Sequence, residues 1–125
     1  MPIRNAWPAD CSRIKDLLDQ LGYEYPEETI NIRLDKLLKS GSDEVFVYTD
    51  DNIVVGFITL HYSIQLAFDG DFCEIGYFVI DKKVRSKGIG KELEEFAIQK
   101  AQDKGIVIRN IDNDNFIFCK SEAER

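Results

Sequence analysis

From Lys82 to Lys91 the chain carries Lys82, Lys83, Arg85, Lys87 and Lys91, arranged around Gly88 and Gly90, with no acidic residue among them. The protein as a whole is acidic, with 16 Lys and Arg against 23 Asp and Glu and a formal net charge of -7. A surface serving solubility alone would intersperse the two signs. A loop that enters a helix presents backbone N–H groups lacking intrahelical partners, which makes an anion site. Gly88 and Gly90 let the backbone approach an anion closely and adopt positive φ. Arg85 can pair two phosphate oxygens at once, and Lys87 adds charge. The combination suits a pyrophosphate. The bland alternative is a glycine turn with solvated lysines.

The elements around this loop follow from periodicity. "IRNA" (3–6) reads as a short first strand. Pro8 and Asp10 precede a helix whose Ile14, Leu17, Leu18 and Leu21 share one face, and Gly22 ends it. A second helix starts near Pro26, with Glu27 and Glu28 in its first turn and an apolar stripe of Ile30, Leu34, Leu37 and Leu38; Gly41 stops it. "VFVYT" (45–49) and "IVVGFITLHY" (53–62) flank a polar turn and predict a hairpin. Gly56 marks a bulge or a close backbone approach. "SIQLAFDGD" (63–71) reads as a loop. "FCEIGYFVI" (72–80), apolar on both faces apart from Glu74 and Gly76, reads as a central strand. The basic loop comes next. A helix follows over about 89–104, with Ile89, Leu93, Phe96, Ala97 and Ala101 as its stripe, and then a strand, "IVIRNI" (106–111). Residues 72–111 thus predict a strand, loop, helix, strand unit of βαβ type. "FIFC" (116–119) can add a short strand.

With 125 residues the chain predicts one domain spanning 1–125, large enough for a modest core. The acidic balance argues against nucleic-acid binding. No apolar run reaches membrane-span length and the N-terminus lacks a signal pattern, so a cytoplasmic protein is expected. The three cysteines, Cys11, Cys73 and Cys119, lack metal-ligand spacing and read as reduced. The single histidine, His61, argues against a zinc site or a serine triad. The spacing of a P-loop is absent. A Rossmann site wants a third glycine and a distant acid that this stretch lacks.

The segment "EIGYFVIDKKVRSKGIGKELEEFAIQKAQDKG" (74–105) resembles the acetyl-CoA-binding core of the GCN5-related N-acetyltransferase (GNAT) superfamily. Its signature, Arg/Gln-x-x-Gly-x-Gly/Ala, is matched by Arg85, Gly88 and Gly90, and the opening "IRNAWPAD" and the element order of residues 1–111 are similar too. The resemblance implies an α/β (α+β) domain of the acyl-CoA N-acyltransferase type, a curved mixed sheet flanked by helices, with the signature core at 72–111. It implies that the strand before the loop splays from its neighbour, that the backbone of Phe78, Val79 and Ile80 pairs with the pantetheine arm of acetyl-CoA, and that Arg85, Ser86, Lys87, Gly88, Ile89, Gly90 and Lys91 surround the phosphates. An unpaired strand edge can indeed accept an amide-bearing arm as another strand.

The implied reaction is direct attack of an amine, on a small molecule or a protein, upon the acetyl thioester. The ammonium must first lose a proton, and Glu74, where several members of the superfamily carry a glutamate base, is the candidate acceptor. Apolar neighbours would keep it from water and favour the protonated form; the alternative is a solvated strand glutamate. Tyr23, Glu24, Tyr25, Glu27 and Glu28 form an acidic, aromatic patch suited to a cationic acceptor, and His61 and Tyr62 end a strand near the expected cleft. The C-terminal part is shortened or divergent relative to the superfamily. No tyrosine lies beyond Tyr77 to protonate the leaving thiolate, Asn113 and Asn115 match a cofactor-side asparagine only loosely, and Cys119 is a weak substitute acid. Truncation, divergence or a strand borrowed from a second subunit are the alternatives. Two other functions remain open on this reading: a non-catalytic acyl-CoA-binding module, and a homodimerising interaction protein joined through its open sheet edge.

Overall fold

The computed structural model describes residues 2–64, 66, 71–104, 106–112 and 115–120, with the backbone alone at 86 and in the last two stretches. β1 (Ile3–Asn5) leads into α1 (Cys11–Gln20) and α2 (Glu27–Lys39). β2 (Asp43–Asp50), β3 (Ile53–Ile64) and β4 (Asp71–Ile80) follow, then α3 (Ile89–Asp103), β5 (Ile106–Asp112) and β6 (Asn115–Lys120). One sheet runs in the order β1-β2-β3-β4-β6-β5. Ser63, Ile64 and Asp71, expected in a loop, belong to strands, and residues 65 and 67–70 of that stretch lie outside the described residues.

Side chains alternate across the sheet, and each face carries its own core. Leu17, Leu34, Val47, Phe57 and Val79 pack beneath α1 and α2. Phe46, Ile58, Leu60, Leu93 and Ala97 pack beneath α3. Leu21, expected on the α1 stripe, is exposed instead, since the helix has already ended at Gln20. The β2–β3 hairpin closes through Asp51 and Asn52, both at positive φ (51° and 63°), as the tight two-residue turns that match strand twist require.

Two bulges shape the central strands. Tyr48 pairs with Gly56 and Thr49 with Val54, which leaves Val55 as the extra residue of β3. On β4, Ile58 pairs with Phe78 and Leu60 with Ile75, so Thr59 faces both Gly76 and Tyr77. The Thr59 hydroxyl accepts the Tyr77 N–H at 2.8 Å and fixes this second bulge. One inserted residue exchanges the faces of every side chain after it. Cys73 and Ile75 therefore share the α3 face with Phe78 and Ile80, while Val79 points to α1 and α2. A Cβ on Gly56 would lie 2.7 Å from Ile80 Cδ1 and 3.1 Å from Val79 O, so β3 and β4 approach as closely as they do only with glycine there.

Every described ladder is antiparallel. β5 shares the direction of β4, as the βαβ reading requires, yet β6 lies between them. The reason is local. β6 follows β5 after two residues, and a hairpin closes with far less loss of chain entropy than a distant pairing. The β4–β6 ladder covers only Phe72, Cys73 and Glu74. Beyond it, no strand among the described residues pairs with the β6-side edge of Gly76–Ile80.

The chain leaves β4 through Asp81, which is 6 % exposed. Its carboxylate accepts the Lys83 N–H at 3.0 Å, Gln20 Nε2 at 3.3 Å and Arg13 Nη2 at 3.2 Å. Arg13 Nε also donates to the Val54 carbonyl, and the Lys82 N–H donates to Gln20 Oε1 at 3.0 Å. The bond from the Lys83 N–H, with Gln20 and Arg13 behind it, outweighs burial and holds the Asp81 carboxyl below its ordinary range.

Two predictions follow from this packing. Gly56→Val overpacks the β3–β4 contact and costs about 1–3 kcal/mol in denaturant unfolding; an unchanged midpoint would mean that β4 yields freely. Asp81 contributes stability above its unfolded pKa, and that contribution disappears as pH falls through its depressed folded value. Asp81→Asn therefore unfolds with a flatter acid limb than the parent, as urea melts between neutral pH and pH about 3 should show. Parallel acid limbs would contradict the role given to this carboxylate.

Candidate active site

A 3-10 turn over Lys82–Lys87 carries the chain from Asp81 to Gly88, so the predicted loop is a wound turn rather than an irregular one. Gly88 takes the left-handed conformation (φ 79°, ψ 6°) and α3 begins with the next residue. The Glu92 N–H bonds the Gly88 carbonyl at 3.1 Å. Helix geometry then leaves the N–H groups of Ile89, Gly90 and Lys91 without intrahelical acceptors. Gly88 is required by its φ, because nothing lies within 4 Å of a Cβ built there. Gly90 differs. A Cβ on it would meet Ile80 Cγ1 at 3.6 Å and Phe78 Cζ at 4.0 Å, ordinary distances, so the fold itself makes no demand for glycine. Helix propensity favours alanine over it by about 1 kcal/mol. A ligand lying across this turn is what would need the space.

Lys82, Lys83, Arg85, Lys87 and Lys91 are all exposed, and none is in an ion pair among the described residues. The structure therefore gathers four of them on the turn and Lys91 in the first turn of α3, without a paired counter-charge among the described residues. Arg85 Nε donates to the Ile80 carbonyl at 3.2 Å, tying the turn to the last residue of β4. The Ser86 side chain lies outside the described residues. Phe78 and Ile80 are half-buried toward α3 and Val79 is buried. The three residues expected to meet pantetheine thus pair with β3 on one side and have no described strand on the β6 side, directly beside the basic turn.

Glu74 pairs with His61 of β3 on one side and Ile117 of β6 on the other. It is exposed, contrary to the shielding expected from its apolar neighbours. Those neighbours, Cys73 and Ile75, point to the opposite face and so cannot cover it. His61 Nδ1 lies 2.8 Å from Asp43 Oδ1. Tyr62, expected near the cleft, is instead buried on the α3 side, where its hydroxyl donates to Glu44 at 2.9 Å. Burial, then the bond to Glu44, pushes its pKa up. Burial likewise pushes the Cys73 thiol up to about 12, so Cys73 stays a thiol packed in the core. Cys11 is also buried and free. Asn113 and the Asn115 and Cys119 side chains lie outside the described residues.

On the other face a cavity of about 720 Å³ opens between α1, α2 and strands β2–β4. Ile14, Leu18, Ile30, Leu34 and Phe57 form its apolar wall. Thr29, Thr59, Tyr25, Tyr77 and Asp43 supply polar groups, and α2 adds Arg33 and Lys36. Tyr23 packs edge-on against Tyr77, with ring centres 5.7 Å apart. Of the expected acidic, aromatic patch only Tyr25 is on the wall; Glu24, Glu27 and Glu28 are exposed elsewhere. The cause is helical phase, since Ile30 and Leu34 turn inward and fix which residues share their face.

Sequence reasoning missed Asp81, Thr59, Arg33 and Lys36. Asp81 had a local signal, a carboxylate at the junction of an apolar strand and a basic run. The other three depend on contacts between distant segments.

The chain matches the model of the acetyltransferase (GNAT) family over residues 11–117. No curated protein matches it significantly. Among solved structures it is similar to a GNAT family acetyltransferase from Staphylococcus aureus, with 23% identity, 83% of this chain and 81% of that one covered, and a TM-score of 0.76. It is similar to a Trypanosoma brucei acetyltransferase at 22% identity, with 82% and 75% covered and a TM-score of 0.72. It is also similar to a protein described as a transcriptional regulator from Bacillus halodurans, at 20% identity, with 82% and 75% covered and a TM-score of 0.74. Similarity at this level speaks for the fold alone. The family match spans most of the sequence, and on that ground the chain is a member of the acetyltransferase (GNAT) family.

Proposed function

We propose that the protein transfers an acetyl group from acetyl-CoA to the amine of a small molecule or a protein, by direct attack and without an acyl-enzyme. The observation that carries this reading is the basic stretch from Lys82 to the first turn of α3, whose five cations are in no ion pair among the described residues and which sits beside a stretch of β4 with no described strand on its β6-side edge. The N–H groups of Ile89, Gly90 and Lys91, with Arg85 and Lys87 around them, would hold the pyrophosphate. Phe78, Val79 and Ile80 would pair with the amides of the pantetheine arm as a neighbouring strand would. The thiol-bearing end would then reach the middle of β4, near the bulge.

Tyr77 of that bulge lines the cavity beneath α1 and α2, which makes the cavity the natural seat of the acceptor. The acceptor nitrogen loses its proton to Glu74, directly or through a water, and its lone pair then forms the new C–N bond. The C–S bond breaks, and the thiolate leaves with coenzyme A and gains a proton from solvent or from the acceptor. Exposure of Glu74 suits exchange of the accepted proton with bulk water.

Calorimetry with acetyl-CoA tests the donor site. Arg85→Ala and Gly88→Asp should each weaken binding by about 10–100-fold, the loss of one or two charge-assisted contacts, and affinity should fall with added salt. Unchanged affinity in both variants would remove the turn from the donor site. Thiol release from acetyl-CoA with a panel of primary amines tests the chemistry. Glu74→Gln should lower kcat by about 10²–10⁴-fold with acetyl-CoA affinity intact. Full turnover in Glu74→Gln would assign the proton to another acceptor.

A further inference from the structure

The cavity beside β4 has a charge pattern opposite to the one the acidic composition suggests. Arg33 and Lys36 stand three residues apart on α2 and both line its wall. Both are exposed, and neither is in an ion pair or a side-chain hydrogen bond among the described residues. The neighbouring base of the same helix, Lys39, is neutralised by Asp35 at 3.0 Å and does not reach the wall. In a chain with 23 acids and 16 bases, two cations facing a cavity without a counter-ion call for one from outside.

The one carboxylate on that wall does not supply it. Asp43 is already engaged, accepting from the Ser40 hydroxyl at 2.6 Å and the Ser42 hydroxyl at 3.4 Å, with His61 Nδ1 at 2.8 Å. Between α2 and β4 the wall is apolar, formed by Leu18, Leu34 and Phe57 among others. At its β4 side stands Tyr77, and Glu74 and His61 form the cross-strand pair nearby on the same sheet. The wall is therefore cationic on α2, apolar in the middle and hydroxyl-bearing on β4.

We propose that this cavity takes an amine acceptor that also carries an anionic group, a carboxylate or a phosphate monoester, set apart from the amine by an apolar body. Arg33 and Lys36 bind the anion, Leu34 and Phe57 cover the apolar body, and the amine lies toward Tyr77 and Glu74. Arg33 suits either anion, because its planar guanidinium pairs two oxygens at once. An acceptor bearing only positive charges, such as a polyamine, would be repelled by the same pair. The proposal rests on the acetyl-transfer reading for the identity of the reacting end, while the anion site is defined by α2 alone.

Three matched probes with one hexyl chain separate the cases: aminohexanoate, aminohexyl phosphate and aminohexanol. Each is titrated by calorimetry into the protein, with acetyl-CoA binding measured separately. At least one anionic probe should bind about tenfold or more tightly than aminohexanol, the worth of one charge-assisted contact, and the better of the two distinguishes carboxylate from phosphate. Arg33→Gln combined with Lys36→Gln should erase that advantage and leave acetyl-CoA affinity unchanged. Lys39→Gln, which removes one positive charge of the same helix outside the cavity, should preserve it. Equal binding of the three probes, no binding by any, or an advantage that survives in the double variant overturns the proposal. Anion binding that depends on Arg33 and Lys36 in a protein that ignores acetyl-CoA would leave the anion site standing and defeat the acetyl-transfer reading. Acetyl-CoA binding without anion preference would do the reverse.

Discussion

The way the chain leaves β4 governs everything placed around it. Asp81 is buried there, and its carboxylate gathers a main-chain N–H from the following turn, an amide from α1 and a guanidinium from α1. A buried charge is tolerated only when it is paired and hydrogen-bonded, so this one dictates geometry rather than merely accepting it. It joins the end of the central strand, both ends of α1 and the start of the basic turn in one polar knot. The left-handed Gly88 then turns the chain into α3. With both in place, the first N–H groups of α3 stand against the end of β4.

β4 is the second organising element because, on the proposed reading, it serves two sites at once. Its final residues have no ladder partner on the β6 side among the described residues, which leaves main-chain groups there for an extended arm on the proposed reading. Its bulge at Gly76 and Tyr77, held by the Thr59 hydroxyl, reverses the order of faces. Tyr77 consequently looks into the cavity under α1 and α2, while Phe78 and Ile80 face α3. On the proposed reading, the donor arm lies along one side of the strand, the acceptor lies in the cavity on the other, and the bulge is where the two approach. The close β3–β4 approach at Gly56 lies at the other end of this stretch, opposite Ile80.

Much of this was legible in the residues. Alternation and helical spacing placed the helices and the long strands to within a few residues, because those patterns reflect which side faces the core. The basic residues around Gly88 and Gly90 announced a turn between a central strand and a helix, and the structure brings them together there. Other features were hidden because they arise between distant segments. Nothing local in "ITLHY" says that Thr59 will pin a bulge on β4, and a single added residue there misassigns every face beyond it. Glu74 looked shielded when its neighbours were read as a string, yet strand geometry sends Cys73 and Ile75 to the other side. Nothing in the sequence around Arg33 and Lys36 marks a cavity, which exists only where α2 lies across the sheet. The position of β6 between β4 and β5 was equally invisible, since an apolar tetrapeptide does not specify its neighbour.

The central claim is that main-chain N–H groups at the start of α3 receive a diphosphate while the end of β4 receives the arm attached to it. Amide-resolved NMR titration tests this most directly, using acetyl-CoA in parallel with acetyl-pantetheine, which has the arm but no diphosphate. The account predicts that acetyl-CoA shifts the amides of Ile89, Gly90 and Lys91 together with those of Phe78, Val79 and Ile80, whereas acetyl-pantetheine shifts only the β4 set. Amides of Ile89, Gly90 and Lys91 that stay unmoved at saturating acetyl-CoA would contradict it.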